Sequence, residues 1–417
     1  MADAQPRHDR CVGLVLTGGG ARAAYQVGVL HGIERIRHEC VATGSSTPFK
    51  VMTGTSAGAI NAAALASEAD DYPRAVQRLH RIWHDFRASE VYRADAFGVV
   101  RSGARWLTMF TVGWALARWH RAKPRSLLDN APLAQLLAER VAMERIPGLV
   151  RDGVLRAFAV SASSYSSGTH VTFFDAGPHQ KPWARSQRIA VRDRITTTHL
   201  LASSAIPFVF PAQPLGLDGQ PQWFGDGSMR QTAPISPAIH LGADRVLVIG
   251  AGRLHEPPSI RRDAGGYPTL AQIGGHAMSN IFLDALAVDI ERARRINATL
   301  SLLPPDLRSQ SALRPVDMLV IAPSQRIDDI AARHIGELPR PVRTMLGAVG
   351  VSRRAGREQG TAAGGGVLAS YLLFEAAFTR ELLALGEADA LARRDEVQAF
   401  FGWPARAPTP LPDAPAA

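Results

Sequence analysis

The chain of 417 residues contains only two cysteines, Cys11 and Cys40. These two cysteines do not make a disulfide framework or a metal site, and they are compatible with a reducing compartment. The first ten residues are polar and charged, and the apolar run after them ends at Leu16 before three glycines. Because no secretory signal is recognisable, we expect a cytoplasmic protein, with a peripheral position on the inner face of the membrane as the alternative.

Long apolar runs are also missing. The longest candidate for a membrane span, Trp106–Ala117, has 12 uncharged residues, whereas a helix needs about 20 to span a bilayer. Within it Trp106, Phe110 and Trp114 recur every four residues and would lie on one face of a helix between flanking arginines. Residues 91–125 are therefore expected to form either a cap over the core or a surface that meets the membrane interface.

Lysine is scarce as well. Only three of the 47 basic residues are lysine, which leaves 47 − 3 = 44 arginines, and the formal net charge is +10. A basic surface attracts anionic lipid headgroups, so peripheral membrane contact is expected. Nucleic acid is not expected as a partner, because the arginines are scattered and no nucleic-acid-binding motif is present. The composition leaves the oligomeric state open.

The most informative motif that is present is Gly54–Gly58, which reads G-T-S-A-G. It follows the apolar run Val51–Met52 and precedes an alanine-rich stretch, so the order strand, tight turn and helix is predicted. Glycines on both sides of Ser56 let the backbone bend without a Cβ clash. The hydroxyl would then lie at a helix N-terminus, where free N–H groups favour negative charge. Ser56 is therefore a candidate nucleophile, although a turn of small residues without chemistry also fits this motif alone.

Three consecutive glycines, Gly18, Gly19 and Gly20, follow the predicted strand Val12–Leu16 and precede Ala21. Their backbone N–H groups are unshielded and can form an anion-binding nest, which beside a nucleophile would serve as an oxyanion hole. The rival interpretation is the dinucleotide-binding loop of an oxidoreductase, because the spacing also satisfies G-x-G-x-x-A. That interpretation expects an acidic residue at the end of the second strand, where threonine and serine stand instead.

The segment Gly225–Ser228 reads G-D-G-S and follows a short apolar run. An aspartate between glycines is often a turn residue, but it is also a rigid way to aim a carboxylate at a pocket. A serine nucleophile needs a base, which is usually histidine. The histidines downstream are His240, His255, His276 and His334. None lies in a loop with obvious catalytic context, so we favour Asp226 acting directly on the serine over a histidine base.

Together these motifs resemble those of the patatin-like phospholipases, which are serine acyl hydrolases with a Ser–Asp dyad. The family pattern is G-G-G-x-R, then G-x-S-x-G, then D-G-G or D-G-A. The chain matches it in order with Gly18–Arg22, Gly54–Gly58 and Asp226–Gly227. Two further stretches, Ser126–Leu133 and Ala202–Pro207, also look like the family.

The resemblance implies a three-layer α/β fold, with a central, mostly parallel sheet flanked by helices, and a lipid ester as substrate. Asp226 would take the proton of Ser56, and the N–H groups of Gly18–Ala21 and Ala57 would hold the oxyanion. No metal or organic cofactor is implied. A free aspartate has a pKa of about 3.9, so the base should be desolvated enough to raise its basicity. The residues that would order or shape these loops are Arg22, Gly54, Gly58 and Gly227.

The chain departs from the family pattern at Ala23, where many members have glycine, and at Ser228, where glycine or alanine is usual. Both substitutes are small. The remaining alternative is a catalytically degenerate lipid-binding or regulatory protein on the same scaffold, against which the intact Ser56 and Asp226 argue.

The resemblance covers residues 10–255, which we assign to the patatin-like domain. A tail at 1–9 precedes it, and a mainly helical extension at 256–403 and a disordered tail at 404–417 follow. The extension carries no chemical motif and is expected to complete the sheet and brace the core. Apolar patterning predicts strands at Val154–Val160 and His170–Phe174, which would form a hairpin, and at Arg245–Ile249 and Met318–Ile321; it predicts helices at Leu270–Asn297, Val367–Leu385 and Ala388–Phe401.

Overall fold

The computed structural model describes residues 11–41, 44–93, 126–253, 270–281, 285–348, 351 and 363–404. Several sequence predictions lie outside these residues. They concern the tail at 1–9, the segment Trp106–Ala117, His255 and residues 405–417.

The described strands form one mixed sheet of ten strands. They are β1 (Val12–Leu16), β2 (Val51–Thr55), β3 (Ala157–Ser164), β4 (His170–Ala176), β5 (Trp183–Arg185), β6 (Arg188–Arg192), β7 (Gln213–Leu217), β8 (Gln220–Asp226), β9 (Arg245–Ile249) and β10 (Asp317–Ile321). The strand order is β10-β9-β1-β2-β3-β4-β6-β5, and β8 pairs with β3 and β7. Pairing is parallel from β10 through β3, and it is antiparallel where β3 meets β4 and β8.

Helices cover both faces of this sheet. The first group is α1 (Ala24–Cys40), α2 (Ala57–Ser67), α3 (Tyr72–His84), α4 (Ala131–Arg140), α5 (Ile146–Arg151), α6 (Thr197–Ser203) and α7 (Ser236–His240). The second group is α8 (Leu270–Ser279), α9 (Ala285–Ser301), α10 (Pro305–Ser309), α11 (Ile327–His334), α12 (Arg340–Ala348), α13 (Ala363–Leu372), α14 (Ala376–Ala392) and α15 (Arg394–Phe401). No helix of the described residues is both long and apolar enough to cross a bilayer.

Strands β1 and β9 are apolar over almost their whole length because both of their faces are buried. In β1, Leu14 and Leu16 pack into the larger hydrophobic cluster, which includes residues of α1, α2, α3 and α14. Val15 points the other way, into a smaller cluster that includes Leu286 and Ile290 of α9. Alternate side chains of one strand therefore bind the sheet to two helical layers, and the predicted three-layer fold class is confirmed.

The predicted strands are present. β1 and β9 have the predicted bounds, whereas β3, β4 and β10 have shifted ends. The hairpin is formed by β3 and β4, and β10 extends the sheet beside β9, so the C-terminal third contributes to the same sheet. The division into a domain at 10–255 and an extension at 256–403 stays a prediction. Residues predicted as the helix Leu270–Asn297 fall in α8 and α9, and residues 282–284 between them are not described.

The helix predicted at Val367–Leu385 is wrong, because two helices meet there. Helix α13 ends at Leu372 and α14 begins at Ala376. Between them Phe374 turns into the core against Trp83 and Phe86, with ring centroids 6.3 and 5.8 Å away. Burial of this aromatic ring favours the break over a continuous helix. The helix predicted at Ala388–Phe401 is likewise the end of α14 followed by α15.

Candidate active site

The glycine loop and the candidate nucleophile follow two neighbouring strands. β1 and β2 are parallel, with Leu16 beside Gly54, so the loop after β1 and Ser56 after β2 lie at the same edge of the sheet. β8 brings Asp226 to this edge by antiparallel pairing, with Asp226 opposite Ala162 of β3. Three loops that are far apart in sequence therefore converge at the carboxyl ends of the central strands, where ligands bind in open α/β sheets.

Ser56 occupies a strained turn between β2 and α2. Its backbone angles are φ 55° and ψ −132°, a conformation that costs a non-glycine residue roughly 1 to 3 kcal/mol. The flanking glycines make the turn possible. A Cβ on Gly54 would lie 2.5 Å from the Cα of Ala59, and a Cβ on Gly58 would clash with the carbonyl oxygen of Leu16.

The Ser56 hydroxyl donates a hydrogen bond to Asp226, with 2.6 Å between Oγ and Oδ2. The other oxygen of the carboxylate, Oδ1, accepts from the backbone N–H of Ser228 at 2.9 Å. Asp226 is completely buried. Burial raises its pKa to about 6, although the hydrogen bonds from Ser56 and Ser228 oppose the increase. The group can therefore accept a proton close to neutral pH, as the sequence argument required.

The glycine loop supplies unused donors beside Ser56. Gly20, with φ 56°, begins a 3-10 turn that runs to Ala23, and Gly18 and Ala21 are buried with it. Among the described residues, no hydrogen bond outside the helices and strands uses the backbone N–H of Gly18, Gly19, Gly20, Ala21 or Ala57, and the first N–H groups of a helix have no partner within it. Gly20 and Ala57 line the same pocket as Ser56. Buried N–H groups without acceptors are costly unless a ligand satisfies them, which suits an oxyanion.

Arg22 turns away from the pocket and holds the loop from behind. Its side chain is buried, donates from Nε to Ser370 Oγ at 2.7 Å and pairs with Asp328. Its guanidinium also lies 4.4 Å from the centroid of the Tyr371 ring. These partners belong to α11 and α13, so the C-terminal third fixes the glycine loop.

An apolar pocket extends from the Ser56 hydroxyl to the end of α4. Apart from Ser56, Ser204 and Arg140, its lining is apolar, and helices α2, α3 and α4 supply most of it. The lining residues are Gly20, Ser56, Ala57, Ile60, Ala64, Leu79, Ile82, Trp83, Phe86, Val91, Leu133, Leu136, Leu137, Arg140, Val141, Ser204, Ile206, Phe210 and Phe374. A hydrocarbon chain is the chemical group that such a surface favours.

Sequence reasoning missed a serine that supports the turn. The backbone N–H of Ser56 donates to Ser203 Oγ at 2.8 Å, and Ser203 Oγ donates to the carbonyl of Ser161 at 2.6 Å. Ser203 is fully buried at the end of α6. The signal was available, since Ser203 lies in the stretch Ala202–Pro207 that looks like the patatin family.

A second missed group is a buried polar network beneath the glycine loop. Gln26 donates to the carbonyl of Thr17 at 2.7 Å, and Asn61 donates to the carbonyl of Ala23 at 3.1 Å. Trp83, which lines the pocket, donates to Asn61 Oδ1 at 2.8 Å. The network connects both ends of the loop to the pocket wall, and no local sequence motif predicts it.

The described histidines that were considered as bases either contact groups other than Ser56 and Asp226 or are exposed. His240 Nδ1 lies 2.8 Å from the carbonyl oxygen of Ser236, and His334 Nε2 lies 2.8 Å from Glu381. His276 is exposed on α8. Within the described part of the chain, no histidine hydrogen-bonds to Ser56 or Asp226.

Residues 14–239, more than half of the chain, match the patatin-like phospholipase family. The chain belongs to this family. One relative, the cGAMP-activated phospholipase of Vibrio cholerae serotype O1, is 29% identical over 231 residues, which cover 54% of this chain and 56% of the relative. The chain thus matches little more than half the length of that relative.

Two solved structures share lower similarity with this patatin-like chain. Human GIVD cytosolic phospholipase A2, in complex with a fluorophosphonate inhibitor, is 12% identical with a TM-score of 0.43, over 96% of this chain and 60% of that one. VipD from Legionella pneumophila is 12% identical with a TM-score of 0.32, over 76% of this chain and 61% of that one.

Proposed function

We propose that this patatin-like protein hydrolyses fatty-acyl esters of lipids, with Ser56 as nucleophile and Asp226 as base. The observation that carries the proposal is the 2.6 Å hydrogen bond between Ser56 Oγ and Asp226 Oδ2 at one end of the apolar pocket. A catalytically degenerate binding protein would have no need to retain this buried carboxylate, whose ionisation is costly there.

In the proposed reaction Ser56 Oγ forms a bond to the ester carbonyl carbon while its proton passes to Asp226 Oδ2. The carbon–oxygen bond to the leaving alcohol then breaks, and that alcohol takes the proton from Asp226. Water next attacks the acyl-enzyme, gives a proton to Asp226 and releases the fatty acid as Ser56 Oγ recovers the proton. The N–H groups of Gly18, Gly19, Gly20, Ala21 and Ala57 are the proposed oxyanion donors, because no hydrogen bond outside the helices and strands of the described residues uses them.

A phospholipid or lysophospholipid is the substrate class that we favour. Arginines from two helices line a cleft of about 470 Å³ that shares Ile82, Leu136 and Arg140 with the apolar pocket. The cleft arginines are Arg74, Arg78, Arg81 and Arg140. The lining also includes Asp85, which pairs with Arg380, and Glu90, which accepts from the backbone N–H of Arg87. Arg78 pairs with Glu68, whereas Arg74 and Arg81 form no ion pair within the described residues. A phosphate group beside a hydrocarbon chain would match this combination.

Peripheral membrane contact completes the proposal. It rests on the net charge of +10 and on the arginine cleft beside the pocket, since basic residues near an anionic surface each favour binding by about 1 kcal/mol. The tryptophan segment Trp106–Ala117 lies outside the described residues and adds nothing to this argument.

Activity-based labelling tests the proposal directly. A fluorophosphonate probe should label Ser56, and mass spectrometry of the digested protein should locate the adduct there. Purified protein should release fatty acid from phospholipid vesicles, and Ser56→Ala should abolish both labelling and release while circular dichroism stays unchanged. Labelling of another serine, or turnover by a folded Ser56→Ala variant, would contradict the assignment.

A further inference from the structure

Two histidines and a glutamate meet where three helices pack together, and one of these helices, α3, lines the pocket. They are His31 of α1, His80 of α3 and Glu387 of α14. One ring nitrogen from each histidine and one carboxylate oxygen lie within 4.8 Å of one another. All three residues are half-buried. They are separated by 49 and 307 positions in the sequence (80 − 31 and 387 − 80), so no local motif announces the cluster.

Close packing of α1 on α14 produces this juxtaposition. Side chains larger than hydrogen at Gly28 of α1 or Gly386 of α14 would clash with the backbone of the other helix. At Gly32 a Cβ would lie 3.0 Å from the carbonyl oxygen of Glu387. The small residues therefore let the helices approach until Glu387 stands beside His31, which lies one position before Gly32.

The polar atoms of these three side chains do not fully satisfy one another by hydrogen bonds. Nδ1 of His31 is buried and has no hydrogen-bond partner among the described residues, although Glu387 Oε2 is 3.3 Å away. The rings of His31 and His80 have centroids 4.5 Å apart, which keeps a nitrogen of each ring close enough to the other to share one ion.

We propose that His31, His80 and Glu387 bind one divalent transition-metal ion, with Zn²⁺ as the best match. Two imidazole nitrogens and one carboxylate oxygen form a typical zinc donor set, which leaves a fourth tetrahedral position for water. Calcium and magnesium would be poorly bound because they require oxygen ligands. At metal–ligand distances near 2.1 Å, tetrahedral ligands stand roughly 3.4 Å apart, so modest side-chain rotation would close the site.

Arg35 occupies the other oxygen of Glu387. Its guanidinium pairs with Oε1 of Glu387, which leaves Oε2, the oxygen beside His31, available to an ion. Metal-binding carboxylates are commonly oriented by such hydrogen bonds. Arg35 is half exposed, so its charge is largely screened by water.

The site would stabilise helices that shape the pocket. Helix α3 carries Leu79, Ile82 and Trp83 into the pocket lining, and α1 begins at Ala24, directly after the glycine loop. An ion on His31, His80 and Glu387 would therefore tie the pocket wall to the helix that follows the glycine loop. This inference is independent of the proposed hydrolase activity.

Metal titration of the whole chain tests the site. Chelator-treated protein should bind one Zn²⁺ per chain in equilibrium dialysis, and its Tm should rise by several degrees. Co²⁺ should give the intense visible bands of a tetrahedral site, and Ca²⁺ should have no effect. His80→Ala and Glu387→Gln should each weaken Zn²⁺ binding at least tenfold. His38→Ala, which removes an exposed histidine further along α1, should bind as the unmodified chain does.

The proposal is overturned if the chelator-treated chain binds no Zn²⁺, or if the folded His80→Ala and Glu387→Gln variants bind it as tightly as the unmodified chain. If either variant does not fold, His31→Gln, which retains polarity and much of the volume, replaces it. A Co²⁺ spectrum of octahedral type in the unmodified chain would also overturn the assignment.

Discussion

Arg22 and Asp328 form an ion pair between the glycine loop and helix α11, and 306 residues of sequence separate them. The Arg22 side chain is 2% exposed and that of Asp328 16%. Removal of one partner from a buried pair leaves the other charge uncompensated, which is more harmful than loss of the attraction alone. The conformation of the proposed oxyanion loop therefore depends on a residue of the C-terminal third.

Asp328→Ala should destabilise the protein by roughly 3 to 5 kcal/mol because it leaves Arg22 buried without its anion. Turnover of a soluble ester should fall as well, since the loop loses its anchor. Urea unfolding and initial rates provide the measurements. Asp329→Ala is the matched control, because the Asp329 side chain is 52% exposed and, among the described residues, its ion pair is with Arg326 at 3.8 Å. Equal stability of the two variants would contradict the anchoring role.

Ser56→Ala and Ser56→Gly should both be inactive but should differ in stability. Alanine keeps a Cβ at φ 55°, whereas glycine relieves a strain of roughly 1 to 3 kcal/mol and loses only about 0.5 to 1 kcal/mol through added flexibility of the unfolded chain. Ser56→Gly should therefore unfold at higher urea concentration than Ser56→Ala. The opposite order would mean that the turn is not strained.

Asp226→Asn should abolish turnover and at the same time stabilise the fold at neutral pH. The folded-state pKa of Asp226 is about 6, above the value of about 3.9 expected in the unfolded chain. Between these two pKa values the folded protein binds more protons than the unfolded chain. Its free energy of unfolding therefore falls as the pH rises through this range, and the loss reaches about 3 kcal/mol above pH 6. The Tm advantage of Asp226→Asn should be large at pH 7.5 and nearly absent at pH 4.

The same pKa predicts the pH profile of the unmodified enzyme. Because the proposed base must be ionised, kcat/KM for a soluble ester should fall tenfold per pH unit below about pH 6. A profile that instead breaks near pH 4 would mean that Asp226 is not desolvated in the working enzyme. A loss of stability in Asp226→Asn at pH 7.5 would contradict the same premise.

Ser203→Ala should lower kcat with little change in KM. Ser203 accepts the backbone N–H of Ser56 and does not line the pocket, so its loss should disturb the nucleophile turn rather than lipid binding. Ser204→Ala is the control. Ser204 lines the pocket, and in the part of the chain that the structure describes its hydroxyl donates only to the carbonyl oxygens of Leu200 and Leu201 in α6. If both variants behave alike, Ser203 has no positioning role.

Loss of charge in the arginine cleft should reduce hydrolysis of anionic vesicles and leave hydrolysis of soluble esters unchanged. Replacement of Arg74 and Arg81 together by glutamine should reduce hydrolysis of anionic phospholipid vesicles several-fold, and the difference should shrink in high salt because exposed charges are screened over about 8 Å at physiological ionic strength. Arg151→Gln, at an arginine whose side chain is 78% exposed and outside the cleft, is the control. A parallel loss on a soluble ester would indicate a structural role for the cleft instead.

Local sequence predicted the elements that carry the proposed chemistry. The glycines around Ser56 and the glycine run after β1 act over a few residues, and their turn and loop follow from backbone sterics. The apolar strands and their order along the chain could also be predicted, because burial on both faces leaves a continuous apolar pattern in the sequence. The break between α13 and α14 was missed because it depends on the packing of the Phe374 ring against Trp83 of α3 and Phe86. These residues are distant from Phe374 in the sequence.

The fold class and the choice of Ser56 and Asp226 as candidates follow from the sequence, because spacings of a few residues encode them. The full burial of Asp226, its pKa of about 6 and the support of the Ser56 turn by Ser203 depend on tertiary packing. It likewise placed His31, His80 and Glu387 together. Burial and distance depend on how helices distant in sequence pack against one another, and no local pattern encodes that packing.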